Sequence, residues 1–428
     1  MAVLLQPNYT APGNSKNSSV YPWVVVALLW GVALLNYMDR QMLSTMKPSM
    51  QAGIPELRSA TAFGYLMAVF LWIYGFMSPV SGILADKLNR RWLIIASLFV
   101  WSGVTYAMGY AATFNQLYWL RAAMGVSEAL YIPAGLSLIA DYHTGKTRSL
   151  AIGIHMTGLY TGQALGGFGA TIAATLSWQE AFRYFGITGI VYSLVLMIFL
   201  REIKSPAPAA GAMETKKSSL FSGLRVLFTN VSFWILLFYF AIPSLPGWGI
   251  KNWLPTLFAT SLDIDMAKAG PLSTITLAIS SFMGVITGGI LSDRWVQTNN
   301  RGRIYTSAVG LGLTIPALLL IGFGHSLLHV VGAAFCFGFG YGLFDANNMP
   351  ILCQFVPAKH RATAYGLMNM AGVFSGAFIT DLLGKSTDAG NLGKSFALMS
   401  AIVLVALIIQ LYFLRPRTTD FKEAEKAF

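Results

Sequence analysis

The sequence predicts an all-α polytopic membrane protein, with twelve transmembrane helices in two six-helix, pseudo-symmetric halves. Three observations carry this. Of 428 residues, 55% are hydrophobic and 11% charged, with a mean hydropathy of +0.59, whereas a soluble domain carries about 25% charged residues. Apolar runs of roughly 20 residues, enough to cross a hydrocarbon core of about 30 Å, recur from end to end. Short motifs also repeat between the two halves of the chain.

The first run, 22–46, opens at Pro22 and stays apolar through PWVVVALLWGVALLNYM before it meets Asp39 and Arg40. Runs follow at 61–84, 91–112, 114–141, 149–174 and 180–200. The fourth carries Arg121 and Glu128. The fifth carries Gly153, Gly158, Gly162, Gly166 and Gly169 at spacings of three to five, a face along which a neighbouring helix can lie close. The stretch REIKSPAPAAGAMETKKSS, 201–219, then interrupts with the Pro, Ala, Ser and Lys content of a linker. Six more runs complete the chain at 231–258, 269–292, 304–324, 327–355, 361–384 and 394–414. In the first of these, Pro243, Pro246, Gly247 and Gly249 precede Lys251 and predict a break or kink ahead of it. The resulting organisation is a tail (1–20), a first half (21–200), a linker (201–228), a second half (229–415) and a tail (416–428).

Charge sets the expected orientation. Fifteen Lys and Arg residues, from Lys87 to Arg361, lie in the gaps after even-numbered runs, against five in the alternate gaps (Arg58, Arg183, Lys268, Lys385 and Lys394). The positive-inside rule places the fifteen, and both termini, in the cytoplasm. The expected setting is a bacterial inner membrane, with the chain working as a monomer in the lipid bilayer. The halves repeat: GILADKLNRR (82–91) is echoed by GILSDRW (289–295), and KTRSLAIG (146–153) by KHRATAYG (359–366). A parallel repeat of two six-helix units places a binding site near the midplane between them.

Several function classes fall away. The net charge of +12 sits in short loops between apolar runs, which argues against a nucleic-acid partner. No phosphate loop is present, and the five histidines and two cysteines show no metal-ligand spacing. Neither a cofactor, a metal nor catalysis is expected. On one helix Cys336 and Cys353 would stand about 25 Å apart, too far to bridge.

GILADKLNRR resembles the loop signature of the major facilitator superfamily, from which it departs at Asn89, where that family usually has Gly. The resemblance implies a conformational latch of Asp86, Arg90 and Arg91, with Asp293 and Arg294 in the second copy. Within the superfamily the first half is similar to the anion:cation symporters, which include galactonate and hexuronate permeases and sialin. The residues that carry this are NYMDRQ, LRAAMGVSEALYIPAGLSLIADY, GIHMTGLYTGQALGG and SWQEAFRYFGITG. A second likeness is to spinster-type lipid transporters, which also pair Asp with Arg in the first helix and place Glu in the fourth.

Ionisable groups at bilayer depth cost at least about 2.5–3.5 kcal/mol each, so they face a cavity or one another. Asp39 and Arg40 diverge by about 100° around a helix, so each needs its own partner. Arg121 and Glu128 lie two turns apart on one face. The symporter resemblance implies that Asp39 and Glu128 titrate protons while Arg40 and Arg121 answer them and grip an anion. An Arg fork suits a carboxylate. Lys251 is a third expected anion contact. Tyr37, Tyr74, Gln163, Asn347, Asn348 and Asn369 are expected to meet sugar hydroxyls. The predicted activity is proton-coupled symport of a small organic anion, an acidic sugar such as a hexuronate, aldonate or sialic acid. A spinster-like lysolipid carrier and a non-transporting sensor are the alternatives.

Overall fold

The computed structural model describes residues 20–143, 147–201, 227–229, 231–356 and 360–415, apart from the side chains of Asp86, Ser149 and Ala362. Residues 1–19 and 416–428, most of the linker, and the loop bases Lys146, Lys204, Lys216, Lys217, Arg225 and Lys359 lie outside the described residues, as does the side chain of the expected latch residue Asp86.

The first half consists of α1 (Tyr21–Thr45), α2 (Lys47–Gly53), α3 (Ala60–Lys87), α4 (Arg90–Met108), α5 (Phe114–Ala129), α6 (Tyr131–Tyr142), α7 (Arg148–Gly166), α8 (Gly169–Thr175) and α9 (Trp178–Phe199). The second half consists of α10 (Val231–Leu262), α11 (Met266–Val296), α12 (Gly302–Phe323), α13 (Leu327–Asp345), α14 (Asn348–Phe355), α15 (Arg361–Asp388) and α16 (Leu392–Phe413). Helix starts follow local chemistry. Ser59 accepts from the Ala62 amide at the head of α3, and Thr113 and Gln116 form a reciprocal capping box at the head of α5. Asn89, the residue that departs from the family loop pattern, caps α4 by accepting from the Trp92 amide at 3.0 Å.

Two of the twelve runs are interrupted where proline dictates. Pro133 and Pro350 offer no N–H to the carbonyls of Ala129 and Ala346, and the run breaks there, into α5 with α6 and α13 with α14. The expected break ahead of Lys251 does not occur. Helix α10 runs unbroken for 32 residues through Pro243, Pro246 and Pro255; prolines are tolerated in spanning helices where neighbouring groups can meet the carbonyls they free. At Pro255, downstream of Lys251, the orphaned Lys251 carbonyl is met by Gln41 Nε2 of α1 at 2.9 Å.

Among the described residues, eleven helical spans are long and apolar enough to cross a membrane. The fifth run divides at Gly167 and Phe168 into α7 and α8 and supplies none of them, since Thr157, Thr161, His155, Gln163 and the glycines dilute the apolar content of α7. Its glycines serve contact with α1. A methyl at Gly158 would stand 2.7 Å from the Trp30 carbonyl oxygen, and one at Gly166 would stand 2.6 Å from Gln41 Cβ. Gly153 takes no part in this seam, because a methyl there would meet open space.

The halves meet on the side remote from Tyr21 and Phe413. There the Asp388 carboxylate, at the end of α15, accepts from Ser59 Oγ (2.7 Å) and from the amides of Ala60 (2.7 Å) and Thr61 (2.8 Å) at the start of α3. Thr274 Oγ1 donates to the Ala164 carbonyl (3.0 Å) and Thr171 Oγ1 to that of Ala267 (2.9 Å). On the opposite side the described ion pairs stay within a half: Arg90 with Asp141, and Arg303 with Asp293.

Candidate functional site

The site begins with the turn of α1 that holds Asn36, Tyr37, Asp39 and Arg40. Helical geometry sends Asp39 and Arg40 to different neighbours, as their spacing predicts. Arg40 Nε donates to Glu128 Oε2 of α5 at 2.5 Å, and Asn36 Nδ2, one turn earlier on the same face, donates to that oxygen at 3.0 Å. Three rings surround the Arg40 guanidinium: Tyr37 at 5.1 Å, Phe70 at 4.9 Å and Tyr74 at 4.6 Å to the centroid. Glu128 is fully buried and its Oε1 has no hydrogen-bond partner.

Asp39 turns the other way. It is 4% exposed and lies beside Trp101 and Thr105 of α4, within electrostatic reach of Arg121. Arg121 is 3% exposed and donates from Nη1 to the Met124 sulfur at 3.1 Å. Its guanidinium lies over the Phe70 ring at 4.6 Å, so one ring serves both bases. Trp101 and Thr105 direct their donors at the Asp39 carboxylate, while Asp39 Oδ1, Arg121 Nε and Arg40 Nη2 lack hydrogen-bond partners of good geometry. Buried polar atoms normally have partners. Water is the ordinary partner for such atoms.

The second half faces it with Lys251, Asp345, Asn348 and Tyr341. Lys251 is half-buried, its ammonium 5.2 Å from the Trp248 ring centroid. Asp345 and Tyr365 lie deep in the bundle near Tyr37, yet both are exposed. An open space between the halves accounts for both facts.

The expected contacts separate into groups. Arg40, Glu128, Tyr37 and Tyr74 form one cluster, with Asp39 and Arg121 behind it. Gln163 is 5% exposed and Asn369 half-buried. Asn347 Nδ2 donates to the Leu343 carbonyl at the α13–α14 break, with Asn347 Oδ1 unpartnered, and Asn348 Nδ2 donates to Asp345 Oδ1. Of the expected latch, Arg91 donates to the Met197 carbonyl, and Arg294 is exposed. Sequence reading missed Asn36, Phe70, Trp101 and Thr105. Asn36 was detectable, four residues before Arg40 and so on its face. The other three carry no signal until helix packing brings them in.

A model of the Major Facilitator Superfamily matches residues 29–380. The chain belongs to that superfamily. It is a multi-pass membrane transporter and not an enzyme. Its relatives in sequence are of two kinds. Protein spinster homolog 1 of Xenopus laevis is 29% identical, over 90% of this chain and 77% of its own length. The probable L-galactonate transporter of Escherichia coli is 23% identical, over 90% of this chain and 88% of its own. The crystal structure of a bacterial homolog of the human lysosomal transporter spinster, inward-facing and unoccupied, matches with a TM-score of 0.81. That match has 20% identity and covers 94% of this chain and 99% of the other. This facilitator thus shares its fold with a spinster homolog, and its sequence likeness extends to a carrier named for a sugar acid.

Proposed function

We propose that this protein is a secondary active transporter that carries a small organic anion, an acidic sugar such as a hexuronate, aldonate or sialic acid, together with protons. The observation that carries the reading is the buried Arg40–Glu128 pair with Asp39 and Arg121 behind it, all bearing unspent polar atoms. Protons taken up by Glu128 and Asp39 weaken their hold on Arg40 and Arg121. The released guanidiniums accept a carboxylate, whose charge they neutralise, and the halves close around it. Coupling requires only that proton and anion each favour the other's bound state. With both termini in the cytoplasm of a bacterial cell, the seam at Asp388 closes the outer face and the structure is inward-facing.

Glu128→Gln keeps the hydrogen bonds and removes the titration. In proteoliposomes it should abolish accumulation driven by an imposed proton gradient while sparing part of the exchange between internal and external cargo. Accumulation that persists at the wild-type level would remove Glu128 from coupling. The spinster relatives support a second reading, transport of a lysolipid, and uptake of lysolipids in place of sugar acids by the same vesicles would select it.

A further inference from the structure

The second half brings two opposite charges to the cavity that the cycle above leaves without a task. Lys251 and Asp345 are electrostatic neighbours. Yet neither joins an ion pair within 4.0 Å among the described residues. Asp345 is held from behind. Its Oδ1 accepts from Asn348 Nδ2 at 3.0 Å, and Asn348 Oδ1 accepts from the Tyr239 hydroxyl at 3.2 Å, which also bonds Ser307 at 2.8 Å. The other carboxylate oxygen is left for a ligand, and the residue is exposed within the bundle. Asp345 is also the last residue of α13, where the helix dipole adds to its attraction for a cation. Tyr341 and Tyr37 stand within electrostatic reach of it, and tyrosine rings favour ammonium groups. Lys251 in turn is within electrostatic reach of Arg40, so the basic pole is shared between the halves.

Two unlike charges fixed apart in one cavity are the complement of a zwitterion. We propose that Lys251 and Asp345 form a dipolar receptor, and that the cargo carries a protonated amine beside its carboxylate, as an amino-sugar acid does. This rests on the reading of the protein as a carrier of small acids and narrows that class. Lys251 and Arg40 take the carboxylate, and Asp345 takes the ammonium.

The test compares gluconate with 2-amino-2-deoxygluconate, which exchange one hydroxyl for an ammonium, in counterflow on proteoliposomes. The wild type should prefer the amino compound by about tenfold or more, the scale of one charge-assisted contact. Asp345→Asn should level the two by losing affinity for the amino compound alone, and Asp345→Glu should recover part of the preference. The proposal is overturned if gluconate is carried equally well by the wild type, if the preference survives in Asp345→Asn, or if that variant loses both acids together. Transport of gluconate without preference leaves the small-acid reading standing and sinks only this inference; transport of neither sinks both.

Discussion

Phe70 shows how much of the site depends on one uncharged side chain. Its ring carries the Arg40 and Arg121 guanidiniums at 4.9 and 4.6 Å, so a single π-system steadies two bases that would otherwise repel. Each such contact is worth about 0.5–2 kcal/mol depending on desolvation. Phe70→Leu keeps the bulk and removes the π-face. Substrate affinity measured by calorimetry should then fall by at least about fivefold, the loss of both contacts at their weakest, with the protein still folded; unchanged affinity would show that packing alone positions the bases. The charged members of the cluster were legible in the sequence because ions are conspicuous in apolar runs and helical spacing sorts them by face. Phe70 was not, since one aromatic among many announces nothing until α3 is laid against α1 and α5.

Between elements, the decisive contact is that of α1 with α7. Gly158 lets the two backbones approach until its α-carbon faces the Trp30 carbonyl, and Trp30 Nε1 also donates to Thr157 Oγ1 at 2.9 Å. Gly158→Leu would wedge the helices apart at a cost of about 1–3 kcal/mol. The melting temperature of the purified protein should drop, and transport with it, because α1 carries both Asp39 and Arg40. A melting curve that does not move would show that the seam yields freely. The glycine spacing made this seam readable, apart from Gly153. The continuity of α10 was not readable, because a proline's effect depends on whether a distant helix supplies the missing donor. At Pro255 Gln41 does, from 210 residues away in the chain.

At the scale of the whole molecule, the seam remote from the termini sets which face is open. Asp388 caps the start of α3 from the opposite half, and losing a helix cap costs about 0.5–2 kcal/mol. Asp388→Ala should therefore favour parting of that face by about two- to thirtyfold. Spin labels at Glu56 and Ala389, placed after replacing Cys336 and Cys353 by Ser, should report a larger population of long distances. An unaltered distribution would deny Asp388 a part in closure. The twofold architecture was visible in repeated loops and apolar runs, whereas the side on which the halves touch belongs to one conformation and leaves no mark in composition. The bond from Gln41 to the Lys251 carbonyl spans this same junction. When the halves separate there, that oxygen loses its donor, and Pro255 has none to give. A solvent molecule must step in, so the swing between states includes a hydration event and should slow as osmolytes lower the activity of water.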